Sequence, residues 1–365
     1  MTERQLVTPP REHGSEPHWG LGRVAVRPSE KAPVTPWSGT PHLLLASGRD
    51  AMVAALQGAK FQGARRLFCP SYFCQEVVPA LASAGLPLLT YPDAPTLPPP
   101  RWGQLNGVAT TDVVLTCGFF GVRGPGFLDA PPAQMIIEDH SHDPYSSWAF
   151  CSKAHYAVAS LRKSLPLPDG AVLWSPRGSE LPEQPPFLRQ GAVADKLSGM
   201  LLKAAYLEGV GGQGRIAKNT FRDLLASGEE QMGAGPLSGI SPLSAAALAL
   251  VDGGLASELR RRNHAAFVSC LSELKDPLPM AAVEEAAPFA VSLIFSTRQR
   301  RDQARTRLIE RGVYPSVLWS LDEPQLPAIS AEHIELAGRM LAIACDARYA
   351  PGDMEWAAAR LLEAL

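Results

Sequence analysis

Residues 135–170 read MIIEDHSHDPYSSWAFCSKAHYAVASLRKSLPLPDG. One apolar run, Gln134 to Glu138, ends at Asp139, and a second, Ala154 to Ser160, runs into Leu161-Arg162-Lys163 ahead of the turn Pro168-Asp169-Gly170. Short apolar runs bounded by turn formers read as buried strands. The ends of two such strands then carry a carboxylate and an amine, on the side of an open α/β sheet where ligands gather. A lysine that can form a Schiff base and a carboxylate that keeps a ring nitrogen protonated are together what pyridoxal phosphate requires.

Working outward, the same alternation continues on both sides. Ser47-Gly48-Arg49-Asp50 opens an apolar-periodic helix over Ala51 to Leu56, with serine or glycine at its start. Arg66 to Cys69, Pro87 to Tyr91 and Val113 to Thr116 read as strands, and Gln75 to Ala84 as a helix closed by Gly85. Ala171 to Ser175 is expected to pair back as an antiparallel hairpin across Pro168-Asp169-Gly170. Strand and helix alternating at this spacing predict an α/β fold with a mainly parallel sheet. Farther on, the pattern predicts a helix from Val193 to Leu207 and a Gly-rich break over Gly209 to Gly214. A long helical stretch follows from Pro242 to Leu274, interrupted near Gly253-Gly254. A strand from Phe289 to Phe295 and helices from Arg301 to Arg311 and Met354 to Leu365 complete a small α+β unit. The expected division is an N-terminal arm over 1–38, a large domain over 39–245 and a small domain over 246–365.

The chain of 365 residues is long enough for two cores, and 46% hydrophobic with 19% charged residues is the composition of a globular protein. A net charge of −2, with both signs interspersed, argues against a nucleic-acid face. The six cysteines are scattered without a CxxC pair. Residues 1–20 contain no apolar core of a signal peptide, and no apolar run reaches membrane-span length. These features predict a cytoplasmic protein.

Four strand ends concentrate the chemistry: Pro70-Ser71-Tyr72-Phe73, Gly118-Phe119-Phe120-Gly121, Asp139-His140-Ser141-His142 and Ser160-Leu161-Arg162-Lys163. Together they offer an acid, imidazoles, rings to stack on a flat cofactor, a hydroxyl and an amine. Ser160, three residues before Lys163, is placed to reach a phosphate, and Arg162 to pair with it; Lys153 is the competing lysine.

These residues resemble the DegT/DnrJ/EryC1/StrS group of fold-type I aminotransferases. The likeness is carried by Gly48-Arg49-Asp50, Cys69-Pro70-Ser71, Ile137 to His142, Ser160 to Lys163, Arg261-Arg262-Asn263, Gly312 to Pro315 and Cys345 to Tyr349 before Asp353-Met354, in that order. The resemblance implies a fold-type I large domain with a smaller C-terminal domain, pyridoxal 5'-phosphate, and a homodimer. In its terms Lys163 is the Schiff-base lysine, Asp139 holds the pyridine nitrogen and His142 contacts the phenolic oxygen. Gly48, Arg49 and Ser160 face the phosphate, and one of Tyr72, Phe73 and Phe119 lies against the ring. It also implies glutamate or glutamine as amino donor and a keto sugar on a nucleotide, or a related natural-product intermediate, as acceptor. Arg123, Arg215, Lys218 and Arg222 are the candidates for a diphosphate, and Tyr314 and Trp319 for the acceptor pocket.

The chain departs from the family pattern in three ways. The serine precedes the lysine by three residues rather than five, and the following turn is Pro-Asp-Gly-Ala rather than Gly-Glu-Gly-Gly. The Asn-x-Arg motif by which one subunit reaches its partner's cofactor is replaced by Ser238-Gly239-Ile240-Ser241-Pro242, with Ser241 as the candidate substitute. Two rivals accompany the main reading. One is an elimination or dehydration on the same cofactor. The other is a zinc hydrolase built on Asp139, His140, His142 and Asp143, although Pro144 and Tyr145 break the fuller ligand pattern and no other histidine pair lies at ligand spacing.

Overall fold

A computed structural model describes residues 11–14, 18, 34–210 and 216–365. The chain begins with a two-residue strand β1 (His13–Gly14) and enters the main sheet with β2 (His42–Leu45) and helix α1 (Gly48–Phe61). Then come β3 (Arg66–Pro70), α2 (Val78–Ser83), β4 (Leu88–Tyr91), β5 (Asp112–Cys117), β6 (Met135–Asp139), α3 (Ser147–Phe150), β7 (Tyr156–Ser160) and β8 (Ala171–Trp174). The sheet order is β2-β8-β7-β6-β5-β3-β4. β8 pairs antiparallel with both neighbours and every other pairing is parallel, so one strand of seven opposes the rest.

The quoted stretch therefore forms β6, β7 and the turn into β8. Every residue of β5, β6 and β7 is buried, which is why these strands read as unbroken apolar runs: both faces of a parallel sheet are covered. α1 starts where serine was expected. Ser47 caps it, accepting from Asp50 N at 3.2 Å and donating its hydroxyl to Asp50 Oδ2 at 2.6 Å. Gly48 is required by close approach, since a Cβ there would lie 3.0 Å from Ser160 Cβ. The start of α1 thus sits directly against the end of β7.

After β8 come α4 (Gln190–Leu207) and α5 (Lys218–Gly233). α5 has no counterpart in the sequence reading. The two helices meet at glycines: a Cβ at Gly199 would stand 2.8 Å from Leu225 Cγ, and one at Gly228 would stand 2.9 Å from Ala192 O. The long helical stretch resolves into α6 (Pro242–Leu248) and α7 (Gly253–Ser269), the latter capped by Asp252. The break falls where predicted because Gly253 packs on Tyr145, whose ring a Cβ would meet at 2.1 Å. The expected boundary at 245/246 falls inside α6.

The C-terminal part adds β9 (Leu278–Pro279), β10 (Ala290–Ile294), α8 (Arg298–Glu310), β11 (Val313–Tyr314), α9 (Ala331–Arg339), β12 (Met340–Ala344) and α10 (Pro351–Ala364). β12-β10-β9 make an antiparallel sheet. Its core joins Phe267, Val291, Leu293, Leu308, Leu341, Ile343 and Leu361, each such burial stabilising by roughly 1.5–3 kcal/mol. Among the described residues no helix is long and apolar enough to cross a membrane.

Of the expected N-terminal arm, residues 1–10, 15–17 and 19–33 lie outside the described residues. β1 pairs in parallel with β11. His13 Nε2 donates to Ala344 O at 2.7 Å, and its ring stacks on Tyr349 at 3.9 Å. Burial lowers the His13 pKa from 6.5 to about 4, against an opposing contact with the Ala344 carbonyl. Burial likewise takes His264 to about 4. Both rings are neutral in the folded chain, while the unfolded chain takes up their protons below pH 6.5. Stability is therefore present above pH 6.5 and is lost as pH falls toward 4, by up to about 3 kcal/mol for His13 alone. Urea unfolding across this range should show the decline, and His13→Gln should flatten part of it.

Candidate active site

A cavity of about 790 Å³ opens beyond the carboxyl ends of β6 and β7 and is lined by Gly48, Arg49, Phe73, Asp139, His142, Ser160 and Lys163. The lining also includes Trp319 and Glu229. The sheet order reverses between β3 and β5, the kind of position at which open α/β sheets bind ligands.

Asp139 is the last residue of β6. Its Oδ1 accepts from Ser141 N at 2.9 Å, which leaves Oδ2 for a ligand. Ser141 Oγ in turn accepts from Ser160 N at 2.9 Å, locking the ends of β6 and β7 together. Lys163 closes a single 3₁₀ turn, Leu161–Lys163, and is half-buried. Its Nζ lies 3.3 Å from His142 Nε2.

His142 has an assignable tautomer. Its Nδ1 accepts from Phe120 N at 3.2 Å, so the neutral ring carries its proton on Nε2, toward Lys163. Burial first, and then the charge of Lys163, push this imidazole well below its usual pKa, with the backbone at Gly118 opposing. Phe120 donates from a strained backbone, φ +50°, in the left-handed region. Arg260 supports the same loop from α7, donating to His142 O at 2.8 Å and to Asp143 Oδ1 at 2.8 Å.

Of the three rings proposed for stacking, Phe73 lines the cavity. Tyr72 and Phe119, as fully buried as Phe73, do not line it: Tyr72 donates its hydroxyl to Met340 Sδ at 3.3 Å and Phe119 lies under the Arg123 guanidinium. Trp319 joins Phe73 on the wall, held at φ +52° with its ring 5.3 Å from that of His142. Ser241, the candidate for reaching a partner subunit's cofactor, is buried in its own chain, caps α6, and donates its hydroxyl to Asp169 Oδ1 at 2.6 Å. The apolar packing of the strand ends draws Tyr72 and Phe119 inward, and a buried aspartate takes Ser241.

Of the residues considered for a diphosphate, the three that the structure describes are also placed elsewhere. Arg123 is buried and paired with Asp93. Lys218 Nζ is 2.7 Å from Glu12 Oε1 and 2.7 Å from Tyr314 Oη, which accounts for Tyr314 as well. Arg222 is exposed on α5, and Arg215 lies outside the described residues. For the metal reading, His140 Nε2 is 2.9 Å from Glu138 Oε2, and Asp143 is paired with Arg260. Among the described residues no three His, Cys, Asp or Glu side chains are placed to share a metal ion.

The cavity suits a flat anionic cofactor with a pyridine nitrogen. Its lining holds a carboxylate, an amine, a helix start with arginines and aromatic rings.

No known family model and no curated protein matches the chain in sequence. Solved structures do match its fold. It is similar to S. venezuelae DesV in complex with a ketimine intermediate, at 14% identity and TM-score 0.57 over 92% of this chain and 91% of that one. It is similar to Helicobacter pylori PseC, an aminotransferase involved in the biosynthesis of pseudoaminic acid, at 12% identity and TM-score 0.59 over 97% and 99%. The aminotransferase TlmJ from Streptoalloteichus hindustanus matches at 14% identity and TM-score 0.60 over 88% and 85%. The architecture is that of the fold-type I pyridoxal phosphate-dependent transferases.

Proposed function

We propose that the chain is a pyridoxal phosphate-dependent aminotransferase. It moves an amino group from an amino-acid donor, glutamate or glutamine, to a keto sugar carried on a nucleotide or to a related natural-product intermediate. The observation that carries this reading is one cavity lined by both the Asp139 carboxylate and the Lys163 amine, with His142 Nε2 3.3 Å from Lys163 Nζ. In this reading residues 39–245 bind the cofactor, residues 246–365 form the smaller domain, residues 1–38 are an arm, and two copies form a homodimer. Its six cysteines are free thiols, the state kept in the cytoplasm, where we place it.

Bound pyridoxal phosphate supplies an electron-withdrawing ring that takes up the electron pair left when a proton departs from the donor's Cα. Asp139 Oδ2 would hold the ring nitrogen's proton, and the Ser141 N–H fixes the carboxylate's orientation. Lys163 Nζ anchors the cofactor. Lys163 Nζ, free as an amine, would be the base that takes the proton from the donor's Cα and the acid that returns it on the same face. His142 donates from Nε2 beside that amine and orients the phenolic oxygen. Phe73 and Trp319 exclude water from the wall.

The test is a half-reaction. The purified protein loaded with pyridoxal phosphate and mixed with glutamate, without acceptor, should lose its visible band and release one equivalent of the keto acid. A spectrum unmoved by glutamate, glutamine or any other amino donor would sink transamination.

A further inference from the structure

At the end of the cavity nearest α1 lies a charge cluster that the catalytic reading does not use. Glu229, on α5, accepts from Arg49 Nη2 at 2.9 Å, from Arg162 Nη1 and Nη2 at 2.6 and 2.8 Å, and from Lys196 Nζ at 3.0 Å. The four side chains come from α1, from the turn after β7, from α4 and from α5. The approach of the last two helices is built for it: beside Glu229, a Cβ on Gly228 would lie 2.5 Å from Lys196 Cγ as well as 2.9 Å from Ala192 O. Burial pushes the Glu229 carboxyl up, but the Arg162 and Lys196 contacts outweigh it and hold the group well below the usual carboxylate range. It stays ionised.

Arg49 and Arg162, both held by Glu229, stand beside the capped start of α1 and the Ser160 hydroxyl. Arg49, Arg162 and Ser160 all line the cavity. Guanidinium groups converging on one point suit the oxygens of a phosphomonoester dianion.

We propose that Glu229 is a positioning residue that holds Arg49 and Arg162 as a clamp for a phosphomonoester dianion, so that the α4–α5 hairpin of the same chain completes the phosphate end of the site. This rests on the cofactor reading. It also accounts for a chain without the Asn-x-Arg motif through which a partner subunit would reach the phosphate. The two-point contact fixes the plane of the Arg162 guanidinium and turns Arg49 toward the same point. Without Glu229, three like charges repel one another and their long side chains splay.

Inorganic phosphate is the first probe, because its binding needs no cofactor chemistry. Calorimetric titration of the full chain should show phosphate binding about tenfold weaker in Glu229→Gln than in the parent protein, the loss of charged hydrogen bonds. An affinity that is unchanged or tighter overturns the clamp. The second probe compares pyridoxal phosphate with pyridoxal. Glu229→Gln should weaken the phosphorylated aldehyde about tenfold and leave pyridoxal unchanged, whereas equal losses for both would mean a general structural role and overturn the proposal. If the parent protein develops no chromophore with either aldehyde, the cofactor reading fails, and the phosphate titration still decides the clamp.

Discussion

Lys163→Ala is expected to lower the rate of amino transfer by about 10²–10⁴-fold from the loss of its proton-transfer role alone. Loss of the covalent anchor should also abolish the borohydride-reducible chromophore. The fold should survive. The turn around Lys163 is held by backbone bonds, Leu161 N to Gly170 O at 3.0 Å and Ser164 N to Leu161 O at 3.1 Å, that the substitution does not touch. A half-buried side chain whose one close partner is a neutral imidazole contributes little to stability, so unfolding should shift by no more than about 0.5 kcal/mol. Single-turnover kinetics and urea unfolding of the same preparation separate the two effects. A variant within tenfold of the parent rate would remove Lys163 from the chemistry.

Arg260→Leu should produce the largest loss of stability, about 3–5 kcal/mol, because it leaves a buried carboxylate without its cation. Arg260 is 1% exposed. Besides Asp143 and His142 O, it reaches Ser164 Oγ at 3.3 Å and Ser257 Oγ at 3.1 Å, tying α7 to the residues following both Asp139 and Lys163. Burial already raises the Asp143 pKa, and the Arg260 charge is the main force opposing that rise. Removing the charge should therefore protonate Asp143 and loosen the loop that carries His142. The urea midpoint reports the first effect and a weaker affinity for pyridoxal phosphate the second. A midpoint change worth less than about 1 kcal/mol would contradict the bridging role.

How much of this is legible in the sequence depends on how local the signal is. The ends of β6 and β7 can be read because both strands are wholly buried, so the first polar residues after each apolar run mark the sheet edge. The start of α1 can be read because Ser47, Gly48 and Asp50 form a local cap. Glu229 and Lys196 cannot. Glu229 lies on α5 and Lys196 on α4, 66 and 33 residues beyond Lys163 in sequence, and α5 has a polar surface and follows a Gly-rich break. Residue type alone picks out Trp319 for the acceptor pocket, but the left-handed backbone in a coil segment that carries it there has no periodicity to announce it. β12 is missed for a different reason: α9 ends at Arg339 and β12 begins at Met340, with no turn residue between them. Tyr72 and Phe119 show the converse. Their type suits a cofactor site, but long-range packing claims them first.

The central claim is that Lys163 is the amine that holds pyridoxal phosphate in this fold. Borohydride reduction of the loaded protein, followed by digestion and mass spectrometry, addresses it directly. The account predicts the reduced pyridoxyl mass on the peptide bearing Lys163, with Lys153 and Lys196 unmodified. Modification of Lys153 or Lys196, with Lys163 untouched, would contradict it.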